Sequence, residues 1–267
     1  MTAGRPGAQG GGTRSHQDTI RDQFTKQAIP FSNAPGVRDE EALRLLVDFT
    51  GAGPDDTVLD VACGPGLVVC AFARVARHVT GIDLTPAMIE RARGVQRESG
   101  LRNVTFEVGD VRTLPHPDAS FTIVASRFAF HHIQEPAGVL AEMKRVCAPG
   151  GKVVVTDVEA SPDSAKATAF NRMERLRDPS HVRALPLAEL LALFSAVGLP
   201  TPRTTAYDLR SELEGLLERS FPEPGNEVKV RQAIIDSVVD DALGIGAHRR
   251  GAEVHVAYPV RILLAER

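Results

Sequence analysis

Val58-Leu59-Asp60-Val61-Ala62-Cys63-Gly64-Pro65-Gly66 is the stretch that decides the fold. A β-branched and apolar run ends in a carboxylate, two glycines follow one residue apart, and an apolar helical pattern continues from Leu67 to Val75. This order predicts strand, tight turn and helix. Glycines at the turn allow φ > 0 and remove the Cβ that would hold a bound molecule off the backbone, so a ligand is expected across it. A second short strand, Val79 to Ile82, stops at Asp83. In doubly wound sheets a carboxylate at that tip holds a ribose diol. The dinucleotide pattern G-x-G-x-x-G is not completed: Val69 stands where the third glycine belongs, and Pro65 separates the first two. Pyrophosphate cradling is therefore disfavoured.

Further along come Gly109-Asp110-Val111, Phe121-Thr122-Ile123-Val124 and Ala148-Pro149-Gly150-Gly151-Lys152. Together with Asp60-x-x-Cys63-Gly64-x-Gly66 and the acidic Asp83, the stretch from residue 55 to 160 resembles the class I S-adenosylmethionine-dependent methyltransferases, in particular the small-molecule type of ubiquinone and menaquinone biosynthesis. The resemblance implies an α/β fold, a doubly wound Rossmann-like seven-stranded sheet, mostly parallel with its last strand antiparallel, under a helical cap. It implies S-adenosyl-L-methionine as cofactor and S-adenosyl-L-homocysteine as product. The cofactor site it carries over comprises Asp60, Ala62, Cys63, Gly64 and Gly66 at the first turn, Asp83, Leu84 and Met88 after the second strand, Gly109, Asp110 and Val111 after the third, and Ser126 and Arg127 after the fourth. In that family the Asp110 position accepts the adenine amino group and Val111 covers a ring face; the plainer role for Asp110 is a helix or turn cap. The segment Thr19 to Gly36 folds over cofactor and substrate there, which would bring in Phe24 and Phe31, although these rings equally suit simple packing on the core.

The 267 residues, 43% hydrophobic and 24% charged, suit one large domain or a domain with an appendage. Residues 1–18 read as a disordered tail, 19–160 as lid segment and cofactor-binding core, and 161–267 as the rest of the sheet with helical cap insertions at 161–185 and 211–243. Asp39 caps an amphipathic helix, Thr85-Pro86 and Pro136 open two more, and Pro186 starts a fourth stopped by Gly198. Val104 to Val108, Phe121 to Ser126, Val153 to Thr156, Thr204 to Leu209 and His255 to Leu264 read as strands. The two insertions are expected to select the acceptor or to form an oligomer contact, which leaves a homodimer open.

The net charge of −3 provides no basic field for nucleic acid, so none is expected as a partner. The three cysteines form no C-x-x-C pair and leave an odd one over, which points to reduced thiols and a cytoplasmic location. No apolar run reaches membrane-spanning length, and no His/Cys spacing suits a metal, so neither membrane nor metal is expected.

The fourth strand ends in Ser126-Arg127-Phe128-Ala129-Phe130-His131-His132, where ligands border the strand tips of such sheets. An Asn/Asp-Pro-Pro-aromatic loop, common in enzymes that methylate planar amino nitrogens, is missing, which favours small-molecule acceptors. His131 and His132, with His181 in the polar crossover, are the candidate general bases. The His-His pair recurs in the resembling family whatever the acceptor, so packing or hydrogen bonding is its competing role. The expected reaction is in-line transfer of a methyl group to an oxygen, carbon, nitrogen or sulfur of a small molecule in secondary or cofactor metabolism. Alignment alone supplies about 7 to 11 kcal/mol of such a barrier, which explains why no triad is needed. The alternative is a protein of the same fold that uses the cofactor structurally or for a non-methylating reaction such as cyclisation. A nicotinamide enzyme is disfavoured by Val69 and by the lack of a Tyr-x-x-x-Lys pair.

Overall fold

The computed structural model describes residues 14–267. Strands β1 (Thr57–Val61), β2 (His78–Asp83), β3 (Val104–Val108), β4 (Phe121–Arg127), β5 (Cys147–Val158), β6 (Arg203–Glu212), β7 (His248–Arg250) and β8 (Glu253–Glu266) form one sheet. The order along it is β3-β2-β1-β4-β5-β8-β6, with β7 paired to the start of β8. β8, the last strand, runs antiparallel to β5, β6 and β7, and the other pairings are parallel. The seven expected strands are thus joined by an eighth, the three-residue β7. All of β7 is exposed, so it carries no apolar alternation by which to read it.

Alternation within the strands divides the core between the two faces. Leu59, Val61, Val124, Val153 and Val155 face α5 (Pro136–Val146) and α7 (Leu187–Ala196) through Leu140, Met143, Leu190 and Phe194. Val58, Val79, Ile123 and Val154 face α2 (Glu40–Thr50), α3 (Leu67–Ala73) and α4 (Pro86–Ser99) through Leu46, Val69, Phe72 and Ile89. Helices on both faces are what a parallel sheet with apolar residues on both sides requires. Asp39 caps α2 as expected, accepting from the Glu41 and Ala42 N–H groups. Thr85 is the N-cap of α4, yet its hydroxyl makes no cap hydrogen bond.

A third cluster lies beyond the strand tips. There α6 (Ser164–Arg177), α8 (Leu213–Glu218) and α9 (Asn226–Asp240) pack Phe170, Met173, Leu213, Leu217, Val230 and Ile234 onto Val256, Tyr258 and Val260 of β8. These helices come from the 161–185 and 211–243 insertions. The first helix, α1 (His16–Asn33), begins inside the stretch read as tail, because Ser15 and Asp18 form a reciprocal capping box. The remainder of that tail, residues 1–13, lies outside the described residues. No described helix is long and apolar enough to cross a membrane.

Candidate active site

From β1 the chain winds to β2 and β3 on one side, then returns to β4 and β5 on the other. The crevice at the C-terminal ends of β1 and β4 is therefore the switch point at which doubly wound sheets bind ligands. A cavity of about 860 Å³, partly open to solvent, lies there.

Its floor is the quoted turn. Asp60 is buried, and neither carboxylate oxygen has a hydrogen-bond partner among the described residues. Burial, reinforced by the charge of Asp83, pushes its carboxyl well above the usual range. Asp83 is better satisfied, accepting from the Gly64 N–H at 2.9 Å and the Thr85 N–H at 2.8 Å, and burial still raises its carboxyl. Gly64 sits at φ +51 with nothing within 4 Å of where a Cβ would stand, so the backbone is bare towards the cavity. Ala62 occupies the left-handed region at φ 58, as does Phe128 at φ 57 at the tip of β4. Non-glycine residues held there store strain, which concentrates at functional sites.

One wall comes from β4 and the turn after it. Arg127 donates to the Tyr207 hydroxyl and the Val37 carbonyl, while its Nη2 is buried without a partner among the described residues. Its guanidinium lies 4.3 Å from the centre of the Phe128 ring. The opposite wall is α1, which supplies Ile20, Phe24 and Phe31. This helix is strapped across the crevice: Gln17 donates to Asp110 and Gln27 to Asp178, both at 2.8 Å.

Beyond Phe24, Phe31, Val37, Phe128 and His132, which line both spaces, lies a second cavity of about 840 Å³. Its far side is built from the insertions and the ends of β6 and β8, including Phe170, Glu174, Arg177, Leu216, Arg219 and Tyr258. His131 and His132 both line it. His131 Nδ1 lies 2.5 Å from Asp157 Oδ1, and its backbone N–H donates to the other oxygen of that carboxylate. Burial opposes a charged His131, but the Asp157 carboxylate outweighs it and leaves the imidazole raised. His132 is lowered to about 4 by burial and by neighbouring His131. The Ser180 hydroxyl donates to Asp178 at 2.5 Å and lies 3.1 Å from His132 Nδ1. With the one Ser180 proton committed to the carboxylate, Nδ1 of His132 must be the donor to Ser180 Oγ, which leaves Nε2 as the basic nitrogen.

Of the expected cofactor residues, Phe24, Phe31, Asp60, Ala62, Cys63, Gly64, Asp83, Leu84, Met88, Val111 and Arg127 line the first cavity. Four do not. A Cβ on Gly66 would stand 2.8 Å from the Ala92 Cβ, so this glycine serves the packing of α3 on α4 rather than ligand approach. Gly109 likewise abuts Ile82, at 2.7 Å from its Cδ1. Asp110 is engaged by Arg112 and Gln17, and these hydrogen bonds hold its carboxyl at about 2. Ser126 is buried on the strand face opposite to its neighbour Arg127, since successive strand residues point to opposite sides. Among the candidate bases, His181 reaches neither cavity. It is buried behind His131, ring centres 5.5 Å apart, with Nε2 donating to Asn171 Oδ1, and burial followed by the charges of His131 and His132 lowers it. Asp157, Ser180 and Phe128 were not anticipated. Asp157 repeats the pattern of Asp60 and Asp83, a carboxylate at a strand's C-terminal end, and was legible on that ground; Ser180 and the backbone twist at Phe128 leave no mark in the sequence.

Residues 59–155 match the family described as methyltransferase domain. An uncharacterized methyltransferase of Bacillus subtilis (strain 168), YcgJ, is 34% identical over 208 residues, spanning 75% of this chain and 82% of that relative. This chain belongs to the class I S-adenosylmethionine-dependent methyltransferases. The crystal structure of YcgJ matches this methyltransferase with a TM-score of 0.78 and 26% identity, covering 85% of this chain and 98% of that one. The ubiquinone/menaquinone biosynthesis C-methyltransferase UbiE of Bdellovibrio bacteriovorus is 35% identical over 146 residues, 52% of this chain and 62% of the relative. The enzyme's cofactor is accordingly S-adenosylmethionine.

Proposed function

We propose that this methyltransferase acts on a small molecule seated in the second cavity, with the cofactor in the first. The observation that carries the reading is the shared wall of Phe24, Phe31, Val37, Phe128 and His132, across which the two spaces meet. The first cavity suits a phosphate-free, cationic adenosine. Asp83 has lone pairs left for a sugar diol, Gly64 offers bare backbone, and Leu84, Met88 and Val111 are apolar neighbours for a base. Asp60 and Arg127 Nη2, both without a partner among the described residues, match the ammonium and carboxylate of an amino-acid tail. Burying either group alone is costly, so a zwitterion that meets both offsets that cost.

When bound, S-adenosylmethionine supplies a methyl group already activated by a sulfonium. The protein's share is alignment and exclusion of water, for which α1 and the cap helices close the two cavities. For an acceptor that must lose a proton, Nε2 of His132, a residue of the shared wall, takes it, and Ser180 and Asp178 fix the ring's tautomer. A positioned base of this kind contributes about 10²- to 10⁴-fold. His131, held by Asp157, serves as the charged neighbour that orients the acceptor side.

Transfer of a labelled methyl group from S-adenosylmethionine into a small-molecule extract tests the proposal. Label in a small molecule, with matching S-adenosylhomocysteine, is the expected result; label confined to protein or nucleic acid would overturn it. Cofactor binding without any transfer would favour the non-methylating alternative.

A further inference from the structure

Among the described residues, the charged side chains around the second cavity are held by ion pairs or, for Asp178, by several neutral donors, and Arg219 stands apart. Glu174 accepts from Arg177, at 2.6 Å in the shortest contact, and from the Tyr258 hydroxyl. Asp178 accepts from Gln27 and from both the N–H and hydroxyl of Ser180. Arg210 pairs with Asp208, and His131 with Asp157. Arg219, the residue that ends α8, forms no ion pair among the described residues; its guanidinium donates to the Ser211 hydroxyl at 2.7 Å. Glu212 caps α8 through the Glu214 and Gly215 N–H groups, and Glu218 is exposed and forms no ion pair with Arg219. Residues 1–13 contain no Asp or Glu. Burial and the nearby charge of Arg177 press the Arg219 pKa down and outweigh the Glu218 and Glu212 carboxylates. Phe31, Phe170, Leu209 and Leu216 add apolar surface to the same cavity.

The geometry points to an acceptor with an apolar body and one oxyanion, a carboxylate or phosphate, received by Arg219 at the cap side of the second cavity. This rests on the two-cavity reading above, because it takes the second cavity as the acceptor's. A guanidinium presents several N–H donors in a plane, and with one spent on Ser211 a further pair remains for an oxyanion. The acceptor would then span the cavity from Arg219 to the shared wall at His132. Arg219 is in this view a specificity residue, remote from the transferred methyl.

The test uses the full chain saturated with S-adenosylhomocysteine and three probes of one shape: 2-naphthoate, 2-naphthyl phosphate and the neutral 2-naphthamide. Calorimetry should give at least one anion an affinity at least about tenfold above the amide, the size of one charge-assisted hydrogen bond. Whichever anion binds more tightly identifies the oxyanion. Arg219→Gln should abolish the preference while amide and S-adenosylhomocysteine affinities hold, and Arg219→Lys should restore part of it. Equal affinities in the unaltered protein, no binding by either anion, or a preference that survives Arg219→Gln would overturn the assignment. If S-adenosylhomocysteine itself does not bind, the two-cavity reading falls first; if it binds and the anions show no advantage, only the role of Arg219 does.

Discussion

Asp83 and Gly64 are joined by a hydrogen bond of 2.9 Å, from the glycine N–H to the carboxylate Oδ2, which makes the tip of β2 and the turn after β1 one unit. The same carboxylate is the group proposed to hold the cofactor's sugar, so its removal acts twice. Asp83→Asn keeps the shape, replaces one acceptor oxygen by a donor and removes the charge. Each charge-assisted hydrogen bond lost costs about 1.5 to 3 kcal/mol, so affinity for S-adenosylhomocysteine should fall at least about tenfold. Asp83→Ala should fall further, because the Gly64 turn also loses its anchor. Calorimetric titration measures both, and unchanged affinity in either variant would remove Asp83 from the site.

Gly64 and Gly66 look equivalent in sequence, and the structure separates them. A methyl group on Gly64 projects into open space at φ +51, whereas one on Gly66 meets the Ala92 Cβ at 2.8 Å and the Phe106 ring at 3.0 Å. Both substitutions carry the left-handed backbone penalty of about 1 to 2 kcal/mol. Gly64→Ala should add lost cofactor affinity to that small penalty. Gly66→Ala should add overpacking of about 1 to 3 kcal/mol and lower Tm several degrees more than Gly64→Ala does. Thermal melts with and without S-adenosylhomocysteine check the contrast. Equal Tm losses would mean that α3 and α4 shift freely to admit the methyl group.

His132 gives a pH dependence whose sign can be worked out. Its pKa is lowered to about 4 in the fold, against an ordinary value of 6.5. Between those values the unfolded chain takes up a proton that the folded one refuses, so stability is lost as pH falls from 6.5 towards 4. His131 is raised and works the other way, contributing stability at low pH that disappears as pH rises through its folded value. His132→Gln removes only the first effect. The Tm difference between the variant and the unaltered protein should therefore narrow from pH 7 to pH 5, by the equivalent of about 1 to 2 kcal/mol. A constant difference across that range would show that His132 is not held neutral.

Much of this could be read from the chain. The turn after β1, Asp83 and the alternation of strand and helix came through because glycine, carboxylate and β-branched runs act locally. The sequence offers the cap as a polar crossover and one insertion with apolar spacing, but not its shape, since α6, α8 and α9 meet only in three dimensions. Ser126 and Arg127 are adjacent and read alike in sequence, yet a strand sends them to opposite faces. Gly66 reads as a ligand glycine in sequence because a motif records which residue is small, not what it would touch. The start of α1 at Ser15 was hidden by a polar, glycine-rich surrounding in which one capping box is a faint mark.

His181 is the sharpest such case, a histidine beside Asp178 in the cap that nevertheless reaches neither cavity. Its Nε2 donates to Asn171 Oδ1 at 2.8 Å, and the same oxygen accepts from the Ala184 N–H at 2.7 Å, so the ring helps to tie the end of α6 to the chain that follows. His181→Ala should leave affinity for S-adenosylhomocysteine unchanged and lower stability by about 1 to 3 kcal/mol through a lost buried hydrogen bond and a vacated ring. Turnover at a temperature well below the new Tm should fall only as far as His131, packed against it, loses its orientation. A base in direct contact with the acceptor would behave in the opposite way, with stability intact and turnover reduced by about 10² or more. Denaturant unfolding and single-turnover rates on the same preparation separate the two: a stable but inactive His181→Ala would restore this residue to the chemistry.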